Sequence, residues 1–185
     1  MREVTIRSGD AQGAIGLDLG YTDEQGPCLI KNVRIVGFDV GLSAKYAVDS
    51  ITLEHVILEN QRVVGLRNAG QCVSLRGLTS INAVPAVENT GVGVLVLLDS
   101  QLRSPAGTAS GPAVVNEKPA ALFARNVTIT GYATAIGNTS GHGNCARPMP
   151  PVVLAAACYR CTSAENEVAL SWTGKTLTMM DARCL

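Results

Sequence analysis

The stretch that decides the fold is residues 53–58, Leu-Glu-His-Val-Ile-Leu, together with residues 64–68, Val-Gly-Leu-Arg-Asn. This unit returns in degraded form about every 22–25 residues, a period typical of proteins built from stacked coils. An upstream copy is residues 30–35 with 40–42. The downstream copies are residues 75–78 with 86–89, 98–102 with 113–116, and 124–129 with 135–138.

The composition narrows the class of protein. The 185 residues carry no net charge, which argues against a nucleic-acid or anionic-membrane binder, because such proteins normally show a basic excess. No run approaches the roughly 18 apolar residues of a membrane span. No secretory leader is evident, because residues 1–6 already resemble a strand; a removed leader or a chain that begins mid-protein would look the same.

Each repeat resembles a strand, a short bend, a strand, a corner and a third strand, rich in β-branched residues and bounded by Gly, Asn and Pro. We therefore predict an all-β parallel β-helix of about seven coils, in which equivalent residues lie about 4.8 Å apart. We expect residues 1–185 to form one domain with a loop insertion at 138–151. Beyond the insertion the pattern resumes, so that Cys158 matches Ala124 and Trp172 matches Asn138.

Two rows of polar residues test this register. Charges of alternating sign at the bend would attract along the stack, and asparagines just after the Gly/Ala-apolar pair would hydrogen-bond to one another. Both rows are expected to be structural. The charged row is Lys31, Glu54, Arg76, Asp99 and Arg125, extended backwards by Arg2, and the asparagine row is Asn68, Asn89, Asn116 and Asn138.

The ends of this solenoid lack a capping helix. Open ends expose unpaired strand edges and core residues. We therefore expect that the chain is a fragment of a longer protein, or that another subunit covers its ends in a homo-oligomer.

The coil motif, with its Gly-(Leu/Ile)-x-Asn and x-Asn-Val-x-Ile strands, resembles the right-handed parallel β-helix of the pectate-lyase-like superfamily, which includes polygalacturonase-type glycoside hydrolases. The resemblance is to the fold, and fold alone does not fix chemistry. It implies a secreted bacterial protein, extracellular or periplasmic, whose partner is a polysaccharide bound along one strand stack. It implies no cofactor, and we predict no nucleic-acid or membrane partner.

Alternation along the strands of that stack predicts an outward column in which Asp18, Arg67 and Glu88 line a groove. Asp18 and Glu88 would be roughly 14 Å apart at about 4.8 Å per coil, too far for a hydrolytic carboxylate pair, but an acid from the loop after Asp18 could close the gap. Exposed aromatic rings in loops could stack on sugars. The candidate catalytic residues are Asp18, Asp23, Glu24 and Glu88, and the candidate substrate-binding residues are Arg67, Tyr21, Tyr46 and Ser43.

Two functions remain open. The first is a polysaccharide hydrolase or lyase acting in this groove, and the second is a non-catalytic glycan-binding or structural β-helix, like a tailspike or adhesin shaft. The chain lacks a paired Asp-Asp and an Arg-x-Lys, and its Gly-His-Gly at residues 141–143 lies far from Asp18. A third reading, an esterase, lacks the Gly-x-Ser-x-Gly elbow.

The cysteines and histidines favour structural roles. A zinc site using Cys158 and Cys161 with Cys145, His142 and Cys184 lacks a second pair of ligands at the usual spacing, so no metal site is predicted. Cys158 and Cys161 fall at core positions, and Cys184 falls one coil above Cys161, near enough for a disulfide. The two remaining cysteines, Cys28 and Cys72, are expected to be too far apart to form a disulfide. His55 is expected to be an exposed member of the bend, and His142 lies in the loop insertion.

Overall fold

The computed structural model describes residues 1–20, 27–45, 50–105, 109–117 and 119–138, and the backbone of four later strands. All regular elements in these ranges are β-strands. In chain order they are β1 (Arg2–Arg7), β2 (Gly13–Leu19), β3 (Cys28–Val36), β4 (Phe38–Lys45), β5 (Ser50–Glu54), β6 (Ile57–Glu59), β7 (Val64–Ala69), β8 (Cys72–Arg76), β9 (Thr79–Ile81), β10 (Val87–Thr90), β11 (Val94–Arg103), β12 (Ala109–Asn116), β13 (Ala121–Thr130), β14 (Tyr132–Asn138), β15 (Val152–Leu154), β16 (Ala157–Arg160), β17 (Leu170–Trp172) and β18 (Leu177–Met179).

The strands stack as a parallel β-solenoid of about five turns. A six-stranded sheet runs β14-β12-β10-β7-β4-β2, and every pair in it is parallel. The larger sheet pairs the strands before and after the bend of each turn, so the long β3 lies against both β5 and β6. The predicted fold class is confirmed, and the predicted number of coils, about seven, is too high.

The missing coils are those assigned to the last part of the chain. We predicted that Cys158 would stack in parallel on Ala124, but β16 runs antiparallel to β13 and places Cys158 opposite Phe123. Trp172, predicted opposite Asn138, instead lies opposite Leu177 in a separate antiparallel pair, β17 and β18. A short β-rich sequence can pair in either direction, so similarity to an earlier coil did not decide the direction.

The charged row has the predicted register with one correction. Lys31 lies between Arg2 and Glu54, and Glu54 lies beside Arg76, but the strand position next to Arg76 belongs to Leu98. Asp99 is one residue further on, in a column of bend residues with positive φ. That column contains Glu3, Asn32, His55, Gly77, Asp99 and Asn126.

The bend nevertheless brings opposite charges together. Lys31 Nζ lies 2.8 Å from Glu54 Oε2, and this bond lowers the pKa of the Glu54 carboxyl. Asp99 accepts hydrogen bonds from Asn126 Nδ2 at 2.9 Å and Arg76 Nε at 2.9 Å, which lower the pKa of its carboxyl. These groups are solvated, so the row contributes to register more than to stability.

Leucine and β-branched side chains alternate into a continuous core. In the six-stranded sheet the predicted inward residues Leu42, Leu66 and Val87 have no exposed surface, and Val114 and Ile136 are equally buried. Burying a side chain of this size contributes about 1.5–3 kcal/mol. The alternation therefore fixes which residues of each strand face the solvent.

The cysteines of the early turns are reduced. Cys28 is half-buried and Cys72 is exposed, and no disulfide joins them, as predicted. The predicted bond between Cys161 and Cys184 lies outside the described residues.

Tyr132 at the start of β14 ties the last described turn to an earlier corner. Its hydroxyl donates to the carbonyl oxygens of Asn82 at 3.0 Å and Val84 at 3.1 Å. Burial raises the pKa of Tyr132 to about 12. Since this exceeds the value of about 10 for an unfolded tyrosine, the contribution to stability is complete below about pH 10 and is lost as pH rises towards 12.

Tyr132→Phe should therefore lower the free energy of unfolding by about 1–2 kcal/mol at pH 8, because two carbonyls lose their donor. It should also weaken the fall in Tm between about pH 10 and 12. Thermal unfolding of both proteins across this range measures the effect. Parallel curves for the two proteins would contradict the assignment.

Candidate functional site

The predicted outward column exists and has the predicted register. In the six-stranded sheet, Asp18 lies opposite Ser43, Ser43 opposite Arg67, and Arg67 opposite Glu88. The column continues to Val115 and Gly137. Leu42, Leu66 and Val87, which precede three of these residues, point into the core, so the column faces outward.

The centre of the column is an ion pair. Arg67 Nε donates to Glu88 Oε2 at 2.5 Å, and the two side chains are 36% and 27% exposed. Both residues are predicted site residues, and the structure brings them together. A lyase would use the Arg67 guanidinium to neutralise a uronate, and a hydrolase would use the Glu88 carboxylate as an acid or base. In this structure the two groups are bonded to each other instead.

Asp18 stands apart from that pair. Its side chain is exposed, and Oδ1 accepts a hydrogen bond of 2.9 Å from the backbone N–H of Gly20. Three strand steps separate it from Glu88, which is roughly 14 Å at about 4.8 Å per step. Hydrolysis requires carboxyl groups within about 10 Å of each other, so Asp18 and Glu88 do not form a catalytic pair.

Ser43 lies between Asp18 and the ion pair but is only 1% exposed. Its hydroxyl oxygen has no hydrogen-bond partner among the described residues. A buried hydroxyl without a partner costs about 1–3 kcal/mol, so its place in the column opposes stability. The alternation of residues along the strand predicts which side of the sheet the Ser43 side chain lies on. It does not predict how far neighbouring side chains cover that hydroxyl.

An asparagine ladder directly beneath the column holds it in place. Asn68 and Asn89 follow Arg67 and Glu88 in the chain, and both are fully buried. Asn68 Nδ2 donates to Asn89 Oδ1 at 2.9 Å, Asn89 Nδ2 to Asn116 Oδ1 at 2.8 Å, and Asn116 Nδ2 to Asn138 Oδ1 at 3.4 Å. The predicted ladder is confirmed, and it fixes the strand ends from which the column projects.

Further charged residues on this face were not predicted. Arg62 Nε donates to Asp39 Oδ1 at 2.7 Å; Asp39 is the second residue of β4, which carries Ser43, and Arg62 lies just before β7, which carries Arg67. Lys45 lies two positions after Ser43 on the same face of β4. The period-2 alternation that selected Ser43 also selects Lys45, so this residue could have been found from the sequence.

The remaining predicted site residues, Tyr21, Asp23, Glu24 and Tyr46, lie outside the described residues. Among the residues that are described, no cluster of three or more His, Cys, Asp or Glu side chains could hold a metal ion. The same part of the chain contains no helix long and apolar enough to cross a membrane.

The site is therefore an outward column whose accessible polar side chains are Asp18, Arg67 and Glu88, with a central ion pair and no adjacent carboxylates among its described members. Such a surface can hydrogen-bond an extended polar ligand, since its residues repeat at the strand spacing. Comparisons with models of protein families, with curated proteins and with solved structures found no match.

Proposed function

We propose that this chain is a non-catalytic β-solenoid that binds a polysaccharide along the column from Asp18 to Glu88. The observation that carries the proposal is the Arg67–Glu88 ion pair, which joins the two residues best suited to catalysis to each other. Paired guanidinium and carboxylate groups keep spare donors and acceptors, which can bind sugar hydroxyls.

An extended ligand suits this surface because the column is itself extended and regular. Column residues recur at about 4.8 Å, so an extended chain lying along the stack would meet Asp18, Arg67 and Glu88 and would pass over the buried Ser43. The resemblance of the coil motif to the pectate-lyase-like superfamily supports a carbohydrate ligand. A location outside the cytoplasm, extracellular or periplasmic, follows from such a ligand and is part of the proposal.

Hydrolase or lyase activity in the same groove stays a prediction. It would need Asp23 or Glu24 to approach Asp18, because no second carboxylate of the described column lies near enough. A catalytic pair formed in this way would leave Glu88 out of the chemistry.

The test is binding and turnover on a panel of polysaccharides with the full chain. Affinity electrophoresis and calorimetry measure binding, and release of reducing ends and absorbance of unsaturated products measure hydrolysis and elimination. We expect binding of at least one polysaccharide without either product. Turnover of any polysaccharide would overturn the non-catalytic assignment, and absence of binding across the panel would overturn the proposal.

Arg67→Met should weaken that binding about tenfold or more, because charged hydrogen bonds contribute about 1.5–3 kcal/mol. Arg34→Met is the matched control. Arg34 Nη2 also lies 2.5 Å from a carboxylate, Glu59 Oε2, but in the other sheet. We expect the control to retain wild-type affinity, and equal losses in both variants would show that Arg67 acts through stability rather than contact.

A further inference from the structure

We infer that the polysaccharide is electrically neutral rather than a polyuronate; this inference rests on the proposed function. The inference follows from the charged residues on the outward face, which is the side of the six-stranded sheet that carries Asp18, Arg67 and Glu88. A polyuronate carries one carboxylate per sugar, so a protein that binds it along its length needs a series of available cations.

The central cation is already neutralised. Arg67 donates to Glu88 within the column, and a uronate carboxylate approaching Arg67 would also approach the carboxylate of Glu88. Arg62, at the start of the same face, is likewise bonded to Asp39. Two of the three cations that the structure describes on this face, Arg62 and Arg67, therefore carry their own counter-ions.

The third cation, Lys45, lies beside an acid. A Cβ placed on Gly20 would lie 2.8 Å from Asp18 Oδ1 and 3.1 Å from Lys45 Cδ, so both side chains pass the same point. Lys45 forms no ion pair within the part of the chain that the structure describes. Its charge is offset by the neighbouring Asp18, which would repel a uronate.

The other described residues of the face add no positive charge. Ser43, between the two groups, is a neutral hydroxyl, and Val115 and Gly137 complete the column. Glu117, which follows the ladder residue Asn116, is half-buried and adds a negative charge. The face thus offers polar groups without a net positive field, which suits a neutral polyhydroxy chain.

The test compares two classes of polysaccharide on the wild-type chain. Mixed-linkage β-glucan, galactomannan and dextran represent neutral chains, and polygalacturonate and alginate represent uronates. We expect a neutral polysaccharide to bind at least about tenfold more tightly than either uronate, with little change between 50 mM and 500 mM salt. Tighter, salt-sensitive binding of a uronate overturns the inference and leaves the proposed function standing, whereas failure of both classes to bind overturns both.

The variant Glu88→Gln provides a second, independent test of the inference that the ligand is neutral. It preserves shape but removes the counter-ion of Arg67, so polygalacturonate affinity should rise about tenfold at low salt. Glu59→Gln is the matched control, because it releases Arg34 in the other sheet and should change nothing. An unchanged polygalacturonate affinity in Glu88→Gln would overturn the charge argument.

Discussion

Asn89→Ala is expected to lower the free energy of unfolding by about 3 kcal/mol or more. Asn89 is fully buried and makes three hydrogen bonds. Its Nδ2 donates to Asn116 Oδ1 and to the carbonyl oxygen of Ala121 at 3.0 Å, and its Oδ1 accepts from Asn68. Alanine removes all three bonds and leaves buried polar groups of neighbouring turns without this partner.

Urea unfolding followed by circular dichroism measures the loss. Gln101→Ala is a suitable control, because Gln101 is an exposed polar residue on β11 and its replacement should change stability by no more than about 0.5 kcal/mol. A loss for Asn89→Ala as small as that of the control would show that the ladder does not hold the turns together.

Gly65→Ala is also expected to destabilise the chain, for a different reason. A Cβ on Gly65 would lie 2.4 Å from the carbonyl oxygen of Ala86 and 3.2 Å from its carbonyl carbon. Both are backbone atoms of the next turn, so they cannot move aside as a flexible side chain would. Overpacking of this kind costs about 1–3 kcal/mol or more, which corresponds to a fall in Tm of roughly 2–12 °C for a chain of this size.

The matched control is Gly111→Ala, in strand β12, where an added Cβ meets nothing within 4 Å. Thermal unfolding should show a fall for Gly65→Ala and a Tm near that of the wild type for Gly111→Ala. The same crowding recurs at Gly41, whose Cβ would lie 2.6 Å from the Gly65 carbonyl oxygen. If Gly65→Ala unfolded at the wild-type temperature, the turns could not be stacked as closely as described here.

The sequence predicts the stacking well because each turn repeats a polar signal that only one register explains. Asn68, Asn89, Asn116 and Asn138 coincide only if the turns align, and the structure aligns them. The same alignment places Asp18, Ser43, Arg67 and Glu88 in one column.

The bend was harder to predict because a single residue separates two columns there. Asp99 continues the alternating charges but has φ of 49° and belongs to the bend, whereas Leu98 occupies the strand position. The side chain of Asp99 still reaches Arg76. The pattern of charges therefore predicted correctly that Asp99 pairs with Arg76, and predicted incorrectly that Asp99 occupies the strand position beside it.

The sequence predicts where the residues of the column lie, but it does not predict which of their side chains bond to one another. Register alone places Arg67 beside Glu88, yet their ion pair and the burial of Ser43 depend on side-chain conformations and on what covers the face. Alternation specifies direction only. This is why the column could be located from the sequence, whereas the chemistry of its members required the structure.

Nuclear Overhauser effects between backbone protons give the most direct test of the stacked column. In a parallel pair, an α-proton lies close to an amide proton of the adjacent strand. We expect such contacts from Ser43 to the neighbourhood of Arg67, and from Arg67 to that of Glu88, as the parallel register requires. Contacts showing antiparallel pairing of these strands, or contacts confined to residues near in sequence, would contradict the solenoid and remove the proposed binding face.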